Sequence, residues 1–272
     1  MQKTNPIIVL RDLKKTYDGK TYVLQGIDLE IFPGQIIGYI GPNGAGKTTT
    51  VKILIGMIPD FEGDVLVMGS NISEQPLEVK SKIGYIPETA ALYDALTPME
   101  YLRFVGQIYG LEAAEVDVRA GGMLRLFGLG QEADVRMNAF SKGMKQKVLI
   151  TAGLIHNPDI LFMDEPLAGL DANTALVIKE ILAQLASMGK TIFYCSHVMD
   201  VVERICHRII IINRGDVIAN GTFDELQAEE KGGSLEKIFT HLTGSSGHAE
   251  KASELISFFT GNPAEPGPGA GK

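Results

Sequence analysis

The chain has 272 residues, with 25 Lys plus Arg against 33 Asp plus Glu and a formal charge of −8. At 45% hydrophobic and 21% charged residues, it carries enough apolar material for a full core and is neither disordered nor fibrous. The acidic balance argues against a protein that grips nucleic acid along a basic face, and Cys195 and Cys206 alone make no disulfide framework, which points to a reducing compartment.

The opening has a short apolar stretch at residues 7–10 but no signal-peptide architecture. Alternating residues predict strands at 7–13 and 22–31, the second ended by Phe32-Pro33-Gly34. A short apolar run at 36–40 reads as a buried central strand. After it comes Gly41-Pro42-Asn43-Gly44-Ala45-Gly46-Lys47-Thr48, the spacing of a phosphate-binding P-loop between a strand and a helix. Its glycines permit positive φ and leave backbone N–H groups open to a polyphosphate, helped by the positive end of the following helix. Lys47 supplies a charge for the β- and γ-phosphates, Thr48 a hydroxyl for Mg²⁺, and Thr49 completes the nucleotide-facing turn. The tail sequence Gly269-Ala270-Gly271-Lys272 imitates part of this loop but lacks the strand, the Ser or Thr, and the helix.

Val51, Leu54, Ile55 and Ile58 predict a one-faced helix, and residues 65–68 and 82–86 further strands. From 89 to 157 the pattern is helical, with Tyr101, Val105, Ile108 and Tyr109 as a core stripe. A second core strand at 160–163 ends in Asp164 and Glu165. Such a pair suits phosphoryl chemistry: Asp164 as a Mg²⁺ ligand, Glu165 as acceptor of the attacking water's proton. A helix carrying Ile178, Ile181, Leu182 and Leu185 comes next, then a strand at 191–195, a helix at 199–205, and a hairpin of 208–212 with 216–219. Its connector, Asn213-Arg214-Gly215-Asp216, resembles a guanine-reading sequence but lies between two apolar runs and reads as a turn. The β, α, β alternation implies a mostly parallel sheet covered by helices. Residues 261–272, rich in Gly, Pro and Ala, read as a disordered tail. No apolar run reaches the ~20 residues of a membrane span, so a soluble cytoplasmic chain is expected.

The segment Phe140-Ser141-Lys142-Gly143-Met144-Lys145-Gln146-Lys147 opens a helix with Ser141 as N-cap. Three lysines at the positive end of a helix break a local electrostatic rule, each by ~0.3–1 kcal/mol, and an anion docking there would reverse the penalty. With this segment the chain resembles a nucleotide-binding subunit of the ABC transporter family over residues 7–224. Ser141 to Met144 align with the family's signature, with Lys142 in place of a glycine and Met144 in place of a glutamine.

The resemblance implies a P-loop α/β core with an antiparallel β edge and an inserted helical subdomain at 89–157. It implies a domain over residues 1–242 and a largely flexible extension over 243–272. It further implies that ATP lies between the P-loop of one subunit and Ser141 and Gly143 of another. On the same basis Tyr17 stacks on adenine, with Tyr22 as rival, and His197 contacts the γ-phosphate as a switch histidine. Asp171 reaches across to the partner and also suits a helix N-cap. Glu88 stands where relatives carry a glutamine and is a competent ligand for Mg²⁺ beside Thr48 and Asp164. The expected function is a Mg²⁺-dependent ATPase subunit, homodimeric and docked near Glu88 and the insert to a separate permease at the cytoplasmic face of the membrane. The motifs resemble exporter-type subunits, and no nucleic acid is expected. A soluble ATPase of the same family acting on nucleic acid or ribosomes is the alternative. His156, before Asn157-Pro158, is expected to meet the last carbonyls of its helix, and Cys195 to be a buried, unreactive thiol.

Overall fold

The computed structural model describes residues 5–89, 92–230, 232–244 and 256–259. The tail at 261–272 lies outside the described residues. Two sheets organise the chain. The first pairs β1 (Ile8–Thr16), β2 (Tyr22–Ile31), β4 (Glu62–Val67) and the short β5 (Ser70–Asn71) in the order β2-β1-β4-β5, all antiparallel. The antiparallel part of the fold is thus a sheet of its own, built on the N-terminal strands.

The second sheet has the order β10-β9-β3-β8-β7-β6, made from β3 (Ile36–Ile40), β6 (Ile83–Ile86), β7 (Ile160–Asp164), β8 (Thr191–Cys195), β9 (Arg208–Asn213) and β10 (Asp216–Gly221). Its pairs are parallel except for the β9–β10 hairpin. Strands β3, β7 and β8 are buried at every residue, which explains why they read as unbroken apolar runs. One face packs Tyr39, Phe162 and Phe193 against the antiparallel sheet and α1 (Lys47–Leu54). The other packs Ile40, Met163 and Tyr194 against α6 (Ala172–Ser187) and α7 (Met199–Ile205).

Helices α3 (Pro98–Ile108), α4 (Ala113–Leu126) and α5 (Lys142–Leu154) share a separate core built on Leu102, Val116, Ala120, Leu124 and Val148. Helix α3 starts at a capping box, with Thr97 and Glu100 each satisfying the other's backbone N–H. Its buried face holds Met99, Leu102 and Gly106, while Ile108 is 67% exposed. The expected stripe is therefore offset: Tyr101 and Val105 flank the core, and Ile108 faces out because the inner turn admits only Gly106, whose added Cβ would sit 2.4 Å from Val116. Backbones also meet where α5 crosses β6, since a Cβ on Gly84 would lie 2.2 Å from the Gly153 carbonyl oxygen.

Three helices are not legible as such in the sequence: α2 (Pro76–Lys82) before β6, and α8 (Phe223–Glu229) and α9 (Leu235–Thr243) after the hairpin. His156 also departs from expectation. Its Nε2 bonds the Ile83 carbonyl at 2.9 Å and its ring stacks on Tyr109 at 3.6 Å, tying α3 to β6 rather than capping its own helix. Burial, with Arg119 and Lys190 nearby, lowers its pKa.

Candidate functional site

Strands β3, β8 and β7 are adjacent and parallel, so their C-terminal ends form one edge. Register brings Tyr39 and Asp164 both level with Cys195. Residues 41–48 leave β3, Asp164 and Glu165 end β7, and Ser196 and His197 come directly after β8. This is the crevice at the carboxyl ends of strands where doubly wound sheets bind ligands.

The loop at 41–48 is shaped by close contacts. Gly44 and Gly46 take φ of 78° and 108°, and Gly46 is the left-handed N-cap of α1. A Cβ on Gly41 would stand 2.3 Å from the Ile212 carbonyl oxygen. Asn43, Gly44, Ala45, Gly46, Lys47, Thr48 and Thr49 line an open cleft. The Lys47 ammonium donates to the carbonyls of Gly41 at 2.6 Å and Pro42 at 3.0 Å, which holds the charge over the loop.

The hairpin turn beneath is a brace. Arg214 and Gly215 both take positive φ, 49° and 86°, the geometry of a two-residue hairpin, so residues 213–216 form the turn their sequence predicts. The Gly215 N–H donates to the Ala45 carbonyl at 3.0 Å, and Gln25 bonds both turn carbonyls. Tyr17 is 64% exposed beside the loop, its hydroxyl 3.4 Å from Thr49 Oγ1 and the Lys15 ammonium 5.0 Å from its ring centre. Tyr22 instead donates to Glu62 on β4, across the intervening strand β1.

Asp164 is buried, and burial raises its carboxyl above the usual range. The Glu88 and Glu165 carboxylates push the same way, while Lys47 and the Thr48 hydroxyl pull it back. Residues 47, 48, 88, 164 and 165, distant in sequence, therefore share one electrostatic neighbourhood. Glu165 adopts a left-handed backbone, φ 46°, a conformation costing ~1–3 kcal/mol that persists only where surroundings enforce it. Its N–H donates to the Cys195 carbonyl. The His197 ring approaches with Nδ1 at 2.6 Å from Glu165 Oε1, and because a carboxylate only accepts, Nδ1–H is the donor of this bond. Cys195 is fully buried and its thiol is pushed well up by that burial, matching the inert strand thiol expected.

Ser141 caps α5 by accepting the Met144 N–H at 3.3 Å, and Asp171 caps α6 through Thr174. The lysine excess at the start of α5 is partly answered within the chain: Lys145 pairs with Asp94 at 2.7 Å and Lys147 with Asp171 at 3.6 Å. Met144, standing where the family signature carries a glutamine, packs onto the helical core. Buried Gln146 donates to the Pro166 carbonyl, and Gly143 lies where a Cβ would meet the Gly169 carbonyl oxygen at 2.7 Å, so α5 rides on the loop leading out of β7. Among the described residues no hydrogen bond or ion pair joins 141–147 to 41–49. Nothing in the sequence marks Gln146, Asp94 or Gly215 for these roles, because each acts through a partner remote along the chain.

A family model described as ABC transporter matches residues 24–168. The chain is 41% identical over 215 residues to the linearmycin resistance ATP-binding protein LnrL of Bacillus subtilis, covering 79% of this chain and 69% of that relative. It is 34% identical over 266 residues to the Nod factor export ATP-binding protein I of Cupriavidus metallidurans, covering 95% and 88%. A solved dimer of the ATP-binding cassette MJ0796, in a post-hydrolysis state bound to ADP and phosphate, superposes with a TM-score of 0.73 at 27% identity, covering 79% and 98%.

The brace generates a prediction. A Cβ on Gly215 would stand 2.5 Å from the Val23 carbonyl oxygen. Gly215→Ala is expected to displace the turn and raise the Kd for ATP by about tenfold by titration, with no group removed from the loop itself.

Proposed function

The chain belongs to the ABC transporter family, as an ATP-hydrolysing subunit that powers a membrane transporter through ATP-driven dimer closure, and from that premise we propose how its own residues carry the cycle. The observation that carries the reading is the division of the site. Lys47, Asp164, Glu165 and His197 gather at one sheet edge, while among the described residues the Ser141 helix has no bond to the loop at 41–49.

Two copies facing head to tail complete what one lacks. The N–H groups of residues 44–48 and the Lys47 ammonium hold the β- and γ-phosphates. Tyr17, the aromatic beside Thr49, stacks on adenine. Ser141 and the Gly143 N–H of the second copy reach the γ-phosphate, and Asp171 crosses at the same seam. Closure is favoured because these contacts exist only when copies meet, and hydrolysis removes them. Glu165 accepts a proton from the attacking water as the water oxygen bonds the γ-phosphorus and the bridging P–O bond breaks, leaving ADP and phosphate. His197 presents Nε2 toward the γ-phosphate while Nδ1–H holds Glu165.

Mg²⁺ fits this chain. Among the described residues there is no cluster of three metal-ligating side chains of the kind that forms a protein-only cage. Thr48 and Asp164, with Glu88 nearby, offer the few hard oxygen ligands that Mg²⁺ shares with substrate phosphates, and the carboxylate crowding that raises Asp164 is what a divalent cation would neutralise. When bound, the ion offsets phosphate charge.

Residues 1–242 make up the nucleotide-binding domain, with 89–157 inserted and 243–272 as an extension. The chain acts at a membrane. No helix among the described residues is long and apolar enough to cross one. The relatives named as ATP-binding proteins of resistance and export systems support a separate permease that carries the pathway, with this subunit at the cytoplasmic face. Exposed Met57, Leu77, Phe104 and Ile108, with a groove of about 530 Å³ between Ile55, Tyr85 and Tyr109, form the docking face, next to Glu88. The names of the two relatives, one for resistance and one for export, support outward transport.

Glu165→Gln is expected to keep ATP binding and to trap an ATP-dependent dimer by light scattering, with turnover lowered at least about a hundredfold. Rapid turnover by a monomer would contradict the reading. Leu77→Asp combined with Ile108→Asp is expected to leave the ATPase rate of the purified chain within about twofold while abolishing co-purification with its membrane partner.

A further inference from the structure

Glu165 has a third donor that lies outside the motifs. Ser196, 2% exposed between β8 and His197, donates from Oγ to Glu165 Oε2 at 2.9 Å. A carboxylate oxygen only accepts, so the serine hydroxyl is the donor in that bond. The Val198 N–H donates to Ser196 Oγ at 3.2 Å, which anchors the oxygen from the other side.

The consequence is geometric. Glu165 Oε1 already takes two donors, the His197 N–H at 2.7 Å and Nδ1–H at 2.6 Å. Oε2 takes the serine. A carboxylate offers about four acceptor positions, so one remains, on Oε2. These three donors, two from His197 and one from Ser196, hold the carboxylate in this arrangement. We propose that Ser196 is a positioning residue of the hydrolytic site, anchored by the Val198 N–H and donating to Glu165 so that a single acceptor position on Oε2 faces the attacking water.

This inference rests on the reading of Glu165 as the acceptor of the water's proton, and the test separates the two. The experiment is steady-state hydrolysis of Mg-ATP by the full chain. Ser196→Ala is expected to lower kcat about tenfold, the low end for losing one hydrogen bond to a charged group, with the KM for ATP unchanged within about twofold. Ser196→Thr, which keeps the hydroxyl, is expected to recover kcat to within about threefold of the unaltered chain. A kcat for Ser196→Ala within twofold of, or above, the unaltered chain overturns the proposal. So does equal loss in the Ala and Thr variants, or a loss in Ser196→Ala carried by KM. If Glu165→Gln traps a dimer while Ser196→Ala turns over at full rate, only the serine's role fails. If Glu165→Gln itself turns over normally, the reading of Glu165 fails.

Discussion

Three buried parallel strands ending side by side set everything else in this molecule. β3, β8 and β7 are each too apolar to face water, so they lie at the centre of the sheet, and their pairing places the segments leaving their C-terminal ends at a spacing of ~4.8 Å per strand. The phosphate loop, the Ser196-His197 pair and the Asp164-Glu165 pair are neighbours because of hydrophobic burial alone. No polar attraction among them is needed to assemble the site. The polar groups are instead forced together, and the raised carboxyl of Asp164 is a sign of that crowding.

The same compulsion explains the backbone. Glu165 is held at positive φ by the Cys195 carbonyl and by donors from the β8 connection. The phosphate loop is held from below by the Gly215 turn and is open above. A floor braced from below with an open upper face suits a ligand whose second half-site arrives on another molecule, and α5 is bonded to the 165–171 loop through Gln146 and Lys147.

Much of this is legible in the sequence where chemistry and spacing are local. The loop at 41–48, the acids after the 160–163 run, the Ser141 and Asp171 caps and the hairpin turn at 213–216 each carry their signal within eight residues, and the structure forms each of these local features. Local pattern misleads where tertiary packing decides. Ile108 fits a helical stripe by period, but Gly106 brings α4 so close that the buried face rotates away from it. His156 has the position of a helix cap, yet it stacks on Tyr109, 47 positions earlier by number. The lysines of α5 read as uncompensated because Asp94 lies in a distant segment. Ser196 carries no local signal, and only the bonds around its oxygen single it out.

The account stands on a triphosphate shared between two copies. The most direct measurement is a crystal structure of the Glu165→Gln chain grown with ATP and Mg²⁺. The account predicts the γ-phosphate over residues 44–48 of one copy and within hydrogen-bonding distance of Ser141 Oγ of the other. A nucleotide enclosed by one copy alone, with residues 141–144 far from any phosphate in every assembly, would contradict it.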